Sequence, residues 1–423
     1  MQNNKFFGVG IDLCDEYSQV TYFNYKENDP ISVDFSGLEL KYQIPTVVSK
    51  MIGREEWYAG DEALKCAKLG DAVSVEGLLE KAASKNPVSV DDIMVMPIEL
   101  IKRYIDYLLQ TAKMSGKSEV IDKICITMEN FNISVLNVVS KALKELGYKR
   151  EQYEIISHKE SFIYYALNQK SELWKGDVVL FDYTTCGLVT HRMYIVNERG
   201  TRIVMLQSDD YSDEIPYSLS VNQASVDLLD ARLREAAVKT MDRHNVTSVY
   251  LIGRGFSDEI KLPDFIKYVC DRKRVFAGQN LYAKGACFAA VEGVYVNRVR
   301  DYLLACSERI TTGIEMKISD RGKDKILRMV RPGVNWFGTD CSYDFIVDDI
   351  DELEIFLSPV DSREKQLVRV SLDDFPKRPN KATRITVSLS FTSDSRCHLM
   401  VKDRGFGEFF TSSGRVINEE LLL

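Results

Sequence analysis

Two apolar segments of the sequence each end in an aspartate, and these acids are the first candidates for chemistry. Asp12 lies at the end of the segment that begins at Phe6, and Asp182 closes the segment that begins at Asp177. A polar turn and a second β-type stretch follow each segment, which is typical of an antiparallel hairpin. From the residues alone, each aspartate either hydrogen-bonds the turn after its strand or serves a residual ligand site.

The elements between these two acids alternate between strand and helix. Strands are predicted at residues 124–128 and 154–157, and helices at residues 134–146 and 160–167. A long amphipathic helix is predicted to start at Pro97, and a small-residue helix is predicted to run from residue 284 towards Arg300. Since an acid-terminated strand and its hairpin occur twice, we hypothesise that the region consists of duplicated α/β halves.

The helical pattern stops near residue 304, where short alternating apolar runs take over. The shift coincides with a short apolar strip at residues 301–304. The sequence therefore predicts an α/β domain at residues 1–304 and an all-β domain at residues 305–423.

Composition and charge exclude several classes of protein. The chain of 423 residues has 45% hydrophobic residues, which is ordinary for folded protein, and its net charge of -8 disfavours nucleic acid as a partner. The nine cysteines are scattered without a CxxC pair, which is typical of free thiols in a reducing compartment. A zinc site would have to be assembled from distant positions, because none of the four histidines neighbours a second His or Cys at ligand spacing. No apolar stretch is long enough for a membrane helix, so we expect a cytoplasmic protein with no membrane partner.

The order of these features resembles the seventy-kilodalton heat-shock chaperone family of the actin-like ATPase superfamily. Residues 10–13 and 181–182 are similar to the family's two phosphate loops, residues 251–253 to its adenosine loop, and residues 301–304 to its interdomain linker. Residues 312–315 and 401–407 match the start and the end of its substrate-binding domain. The resemblance implies an actin-like ATPase fold with duplicated halves, followed by a β-sandwich domain.

The same resemblance implies a set of site residues and a cofactor. ATP or ADP would bind with magnesium, Asp12 and Asp182 would hold the metal, and Glu160 would position the attacking water. For Glu160, the alternative is an ordinary acid at a helix start. The catalytic candidates are thus Asp12, Glu160 and Asp182, and the nucleotide-binding candidates are Gly10, Thr184, Thr185, Gly187, Gly253 and Gly255.

The chain departs from the family where a triphosphate would bind. Cys14, Asp15 and Glu16 follow Asp12 in place of glycine and hydroxyl residues, and the second loop lacks a glycine run. Each added carboxylate repels a phosphate charge by about 4 kcal/mol at ~4 Å and an effective dielectric constant near ~20. The region between residues 206 and 225 is also too short for the helical subdomain that clamps adenine. We therefore expect a degenerate nucleotide site, and two alternatives stay open: it binds ATP or ADP with magnesium, or it binds no cofactor.

The β domain would bind an extended peptide if the resemblance extends to its groove. The candidate peptide-binding residues are Ile314, Phe345, Leu353 and Ile355, and the alternative is that they fill the β core. The chain ends shortly after this domain, so we expect no helical lid. The resulting hypothesis is a chaperone-like protein-binding or scaffolding protein, a pseudo-ATPase of undetermined oligomeric state. Its alternatives are an active Mg-ATP-dependent chaperone with unusual loops and an actin-like assembly subunit.

Overall fold

The computed structural model describes residues 6–35, 41–129, 131–198, 200–256, 260–306, 308–360, 362 and 364–423. The chain divides into two compact units, and the division falls between Tyr302 and Leu303, close to the predicted boundary. The hairpin segment Asn197–Ile203 is grouped with the second unit. None of the helices in the described ranges has the length and apolar character that crossing a membrane requires.

The first unit contains all the α-helices that the structure describes. These helices are α1 (Gly60–Lys68), α2 (Leu78–Ser84), α3 (Pro97–Gly116), α4 (Ile133–Glu145), α5 (His158–Asn168), α6 (Ser218–Val221), α7 (Val226–Met241), α8 (Pro263–Val269) and α9 (Leu281–Val291). The strands up to Tyr302 are β1 (Gly8–Asp12), β2 (Tyr17–Asn24), β3 (Asp29–Ser32), β4 (Ile44–Pro45), β5 (Val48–Met51), β6 (Trp57–Ala59), β7 (Ala72–Val75), β8 (Val88–Val90), β9 (Ile93–Val95), β10 (Lys123–Met128), β11 (Tyr153–Ser157), β12 (Asp177–Thr184), β13 (Gly187–Glu198), β14 (Thr201–Asp210), β15 (Val246–Ile252) and β16 (Arg274–Ala277).

Two mixed sheets of this unit share one topology. The first has the order β11-β10-β1-β2-β3, and the second contains the order β16-β15-β12-β13-β14. In each sheet the leading strand, β1 or β12, pairs in parallel with one neighbour and antiparallel with the other. Asp12 is the last residue of β1, and Asp182 lies near the end of β12. The two acids therefore occupy equivalent places, as expected of duplicated halves.

Helix α9 lies against β1 and against α5, and glycines permit both contacts. A Cβ on Gly10 would lie 2.3 Å from the backbone nitrogen of Cys287, and a Cβ on Gly285 would lie 2.0 Å from the carbonyl oxygen of Ser161. The helix ends at Val291, short of the predicted end near Arg300, because Gly293 adopts a left-handed φ of 86° that a helix cannot continue.

The second unit is built from strands, and no helix occurs in its described residues. Its strands are β17 (Leu303–Ala305), β18 (Thr312–Asp320), β19 (Lys323–Val330), β20 (Cys341–Ile346), β21 (Glu352–Pro359), β22 (Gln366–Ser371), β23 (Arg384–Phe391), β24 (Arg396–Gly405) and β25 (Val416–Leu422). Two antiparallel sheets have the orders β19-β18-β21-β22 and β20-β23-β24-β25. Burial alternates along β21 and β24, which is the pattern of sheets that each pack one face into a core.

Candidate functional site

The first sheet brings Asp12 to His158, although 146 positions separate them in the sequence. Strands β1, β10 and β11 are parallel neighbours, so their carboxyl ends meet at one edge of the sheet. His158 is the first residue of α5 and directly follows β11. Its Nε2 atom lies 2.7 Å from Oδ1 of Asp12, and both side chains are buried.

Cys14 completes a group of three polar side chains at this edge. Its thiol donates a 3.3 Å hydrogen bond to Oδ1 of Asp12, and its Sγ atom lies 3.7 Å from Nε2 of His158. Burial raises the pKa of the Cys14 thiol well above its ordinary value, and the charge of Asp12 raises it further. Since Cys14 and Asp12 contact the same ring nitrogen, the group lacks the relay of a nucleophilic triad, in which acid and nucleophile use opposite nitrogens.

Tyr282 connects this group to the second aspartate. The rings of His158 and Tyr282 are stacked, with 3.9 Å between centroids and 13° between planes. The Tyr282 hydroxyl donates a 2.7 Å hydrogen bond to Oδ2 of Asp182. Asp12, His158, Tyr282 and Asp182 thus form a continuous chain of contacts between the ends of β1 and β12.

Burial and neighbouring charges shift the pKa values of Asp182 and His158. It raises the pKa of Asp182 to about 6, although the Tyr282 hydrogen bond and the nearby His158 oppose this shift. Burial alone would lower the pKa of His158, but the charge and the hydrogen bond of Asp12 outweigh it, so the pKa is raised. The contact with Asp12 therefore favours the charged form of His158.

Glu160, the residue predicted to position the attacking water, belongs to helix α5. It is fully buried in α5, two positions beyond His158, and two positions on a helix turn a side chain by roughly 200°. Burial raises the pKa of the Cys125 thiol in β10, and the charges of Glu154 and Glu160 raise it further. The residue that meets Asp12 is His158, which the sequence analysis missed. The sequence feature that could have identified His158 is its position directly after β11, the third parallel strand.

The acidic loop after β1 contacts the other predicted loops. Asp15 accepts a 2.7 Å hydrogen bond from the backbone nitrogen of Leu79 at the start of α2. Glu16 accepts a 3.0 Å hydrogen bond from the Thr185 hydroxyl, and its other oxygen lies 3.7 Å from Arg254. A cavity of about 340 Å³ lies beside these side chains, and Glu76 adds a further carboxylate to its lining. The predicted phosphate loops are therefore joined by protein side chains.

The glycines predicted to bind nucleotide each have a structural role. Gly10 faces α9, as described above. Gly253 and Gly255 both lie against Tyr183. A Cβ added to Gly253 would be 2.3 Å from the carbonyl oxygen of Tyr183, and a Cβ added to Gly255 would be 2.1 Å from its ring. Gly187 adopts a φ of 113° as β13 begins. The hydroxyl of Thr184 accepts a 3.2 Å hydrogen bond from the backbone nitrogen of Cys186.

A magnesium ion shared by Asp12 and Asp182 does not fit this arrangement. Magnesium requires an octahedron of oxygen ligands, many of them water. Here Asp12 is hydrogen-bonded to an imidazole and a thiol, and Asp182 to a phenol. The donors around Asp12 are nitrogen and sulfur, which softer divalent cations prefer.

The predicted peptide-binding residues do not form one open groove. Ile314, Leu353 and Ile355 are buried in β18 and β21, with 5% exposure or less. Phe345 is half-buried and belongs to the other sheet, where its ring stacks near Tyr343. The three aliphatic residues therefore contribute to the core: Leu353 and Ile355 occupy the buried positions of the alternating pattern in β21, and Ile314 lies in the continuously buried first half of β18.

Comparison with known sequences finds two matches that together cover most of the chain. Residues 29–307 match the sequence family described as "Family of unknown function (DUF5716) C-terminal". Residues 309–423 match the "Domain of unknown function (DUF8552)". No curated protein matches the chain. Because the first match spans more than half of the sequence, the chain belongs to the DUF5716 family of unknown function.

Proposed function

We propose that this chain is a chaperone-like protein-binding or scaffolding protein whose cleft functions without nucleotide. The observation that carries the proposal is the chain of contacts from Asp12 through His158 and Tyr282 to Asp182. In an actin-like ATPase the two strand-end carboxylates would serve the metal of the nucleotide. Here both already have protein partners.

The charge of the loops supports the same proposal. Phosphate loops bind through backbone N–H groups and basic side chains, which compensate the charge of the triphosphate. Asp15 and Glu16 carry the opposite sign, and Arg254 is engaged by Glu16 and stacked 3.8 Å above the ring of Tyr17. ATP would have to displace these contacts and approach two carboxylates.

The matching strand order of the two sheets supports our proposal that the first unit has an actin-like ATPase fold. With that fold, the main rival function is an active Mg-ATP-dependent chaperone. Calorimetric titration of the full chain with ATP and magnesium separates the two functions. We expect no saturable heat, and no rise of the unfolding temperature at about 1 mM ATP.

Saturable ATP binding that is lost in Asp182→Asn would overturn the nucleotide-free cleft, and release of phosphate from the bound ATP would establish the rival ATPase. The exposed Asp213→Asn serves as the matched control, because it removes the same charge from the surface of the same unit. Sedimentation velocity over a range of protein concentrations tests the assembly alternative. Polymers that grow with concentration would favour an actin-like subunit over a scaffold.

The proposed protein-binding role is supported by the surface of the second unit. Phe409 is 93% exposed beside the isolated bridge between Phe406 and Phe410, and exposed aromatic side chains are common anchors of protein interfaces. Strand β25 is also the edge of its sheet and can pair with an extended segment of a partner. Both features offer contacts to an unfolded or extended polypeptide.

Light scattering of an aggregating model polypeptide tests this role. We expect the full chain to slow aggregation equally with and without ATP, and Phe409→Ser to weaken the effect. Leu69→Ser is the control, since Leu69 is a 67% exposed apolar side chain of the first unit. Equal loss in both variants, or no effect of the wild-type chain, would remove the support for Phe409 as an anchor.

A further inference from the structure

We propose that Asp12, Cys14 and His158 form a binding site for a single zinc ion. The inference goes beyond the proposed function and does not depend on it, because it concerns the donor atoms of one sheet edge. The carboxylate oxygen, the thiol sulfur and the imidazole nitrogen of these residues all lie within 4.8 Å of one another.

The separations of the three donor atoms are close to those of a tetrahedral zinc site. With Zn–N and Zn–O bonds of about 2.0 Å and a Zn–S bond of about 2.3 Å, donor atoms lie about 3.3 to 3.6 Å apart. The sulfur is 3.3 Å from the oxygen and 3.7 Å from the nitrogen. The oxygen and the nitrogen are hydrogen-bonded at 2.7 Å and would separate by about 0.6 Å. Small side-chain movements are therefore enough to admit the ion.

The donor types select zinc over magnesium and calcium. Thiolate and imidazole bind zinc strongly, whereas magnesium and calcium take oxygen ligands. When zinc binds, it forms bonds to Oδ1 of Asp12, Sγ of Cys14 and Nε2 of His158, and the protons carried by the thiol and by Nε2 pass to solvent. The three side chains leave the fourth position to water, as in zinc sites that keep an open coordination position.

The side chains of Tyr282 and Thr127 support the proposed zinc site from outside its three ligands. The Tyr282 ring stacks on His158 and fixes the plane of the imidazole. Thr127 pairs with Asp12 in the parallel register of β1 and β10, so both side chains project from the same face of the sheet. The Thr127 hydroxyl is fully buried and has no hydrogen-bond partner. It is therefore available to a ligand oxygen or to a zinc-bound water.

Titration of the full-length, chelator-treated protein with zinc and with cobalt tests the site. We expect one equivalent of either ion to bind, cobalt to show sulfur-to-metal charge-transfer absorption, and magnesium not to compete. Cys14→Ser should abolish the charge-transfer band and weaken zinc binding at least tenfold. Cys270→Ser, which removes an exposed thiol from the same unit, should change neither result.

His158→Asn tests the nitrogen ligand, and Asp12→Asn tests the oxygen ligand if the histidine variant does not fold. Circular dichroism of each variant establishes that the fold is retained. A cobalt spectrum that survives Cys14→Ser, or binding that Cys270→Ser removes instead, would overturn the site. Failure of zinc to bind at all would also overturn it, while the result of the ATP titration would stand.

Discussion

Asp403 shows how much one residue can contribute to the stability of the second unit. Its carboxylate is completely buried and accepts hydrogen bonds of 2.7 and 2.8 Å from the Arg378 guanidinium. It also accepts hydrogen bonds from the backbone nitrogens of Gly405 and Ser413. Asp403→Asn leaves the guanidinium without its charge partner, so we expect a loss of about 3 kcal/mol of unfolding free energy in urea titration. Glu408→Gln, at an exposed position of the same segment, should stay within about 0.5 kcal/mol of wild type.

The same pair predicts a dependence of stability on pH. Hydrogen bonds from Arg378 hold the pKa of Asp403 far below its usual range, and bonds from Ser413 and Gly405 lower it further. The folded pKa lies below the unfolded one, so the stabilisation is present above about pH 4 and is lost as the pH falls. The difference in unfolding free energy between wild type and Asp403→Asn should therefore shrink in acid. A difference that stays constant from pH 7 to about pH 3 would contradict this assignment.

At the scale of elements, the contact between β1 and α9 depends on the absence of a side chain at Gly10. A Cβ there would lie 2.3 Å from the Cys287 nitrogen and 2.4 Å from the Ala283 carbonyl oxygen, and both are backbone atoms. We expect Gly10→Ala to destabilise the first unit by about 2 kcal/mol, because backbone atoms would have to move to make room for the added Cβ. Gly278→Ala is the control, because no atom lies within 4 Å of its added Cβ. Equal unfolding midpoints for the two variants would refute this role of Gly10.

The sequence predicted elements better than it predicted the site. The helix that begins at Pro97 is confirmed, because one apolar stripe runs along its length, and so is the hairpin that β1 forms with β2. The site depends on which strand ends become neighbours, and local patterns do not contain that information. His158 has an ordinary local context and becomes notable only when β11 is placed beside β10. Gly10 resembled a phosphate-loop glycine, although its requirement comes from the distant Cys287.

At the scale of the whole molecule, the chain has two compact units that each bury their own apolar residues. A unit with its own core can unfold as a cooperative body, so we expect two resolvable transitions in scanning calorimetry. Gly10→Ala should lower the temperature of one transition, and Asp403→Asn should lower the other, because the two residues belong to different units. Substitutions in separate cores should also have additive effects in the double variant. If both substitutions shifted one common transition, the two cores would be a single cooperative unit, and the division at Leu303 would not describe the folding of this chain.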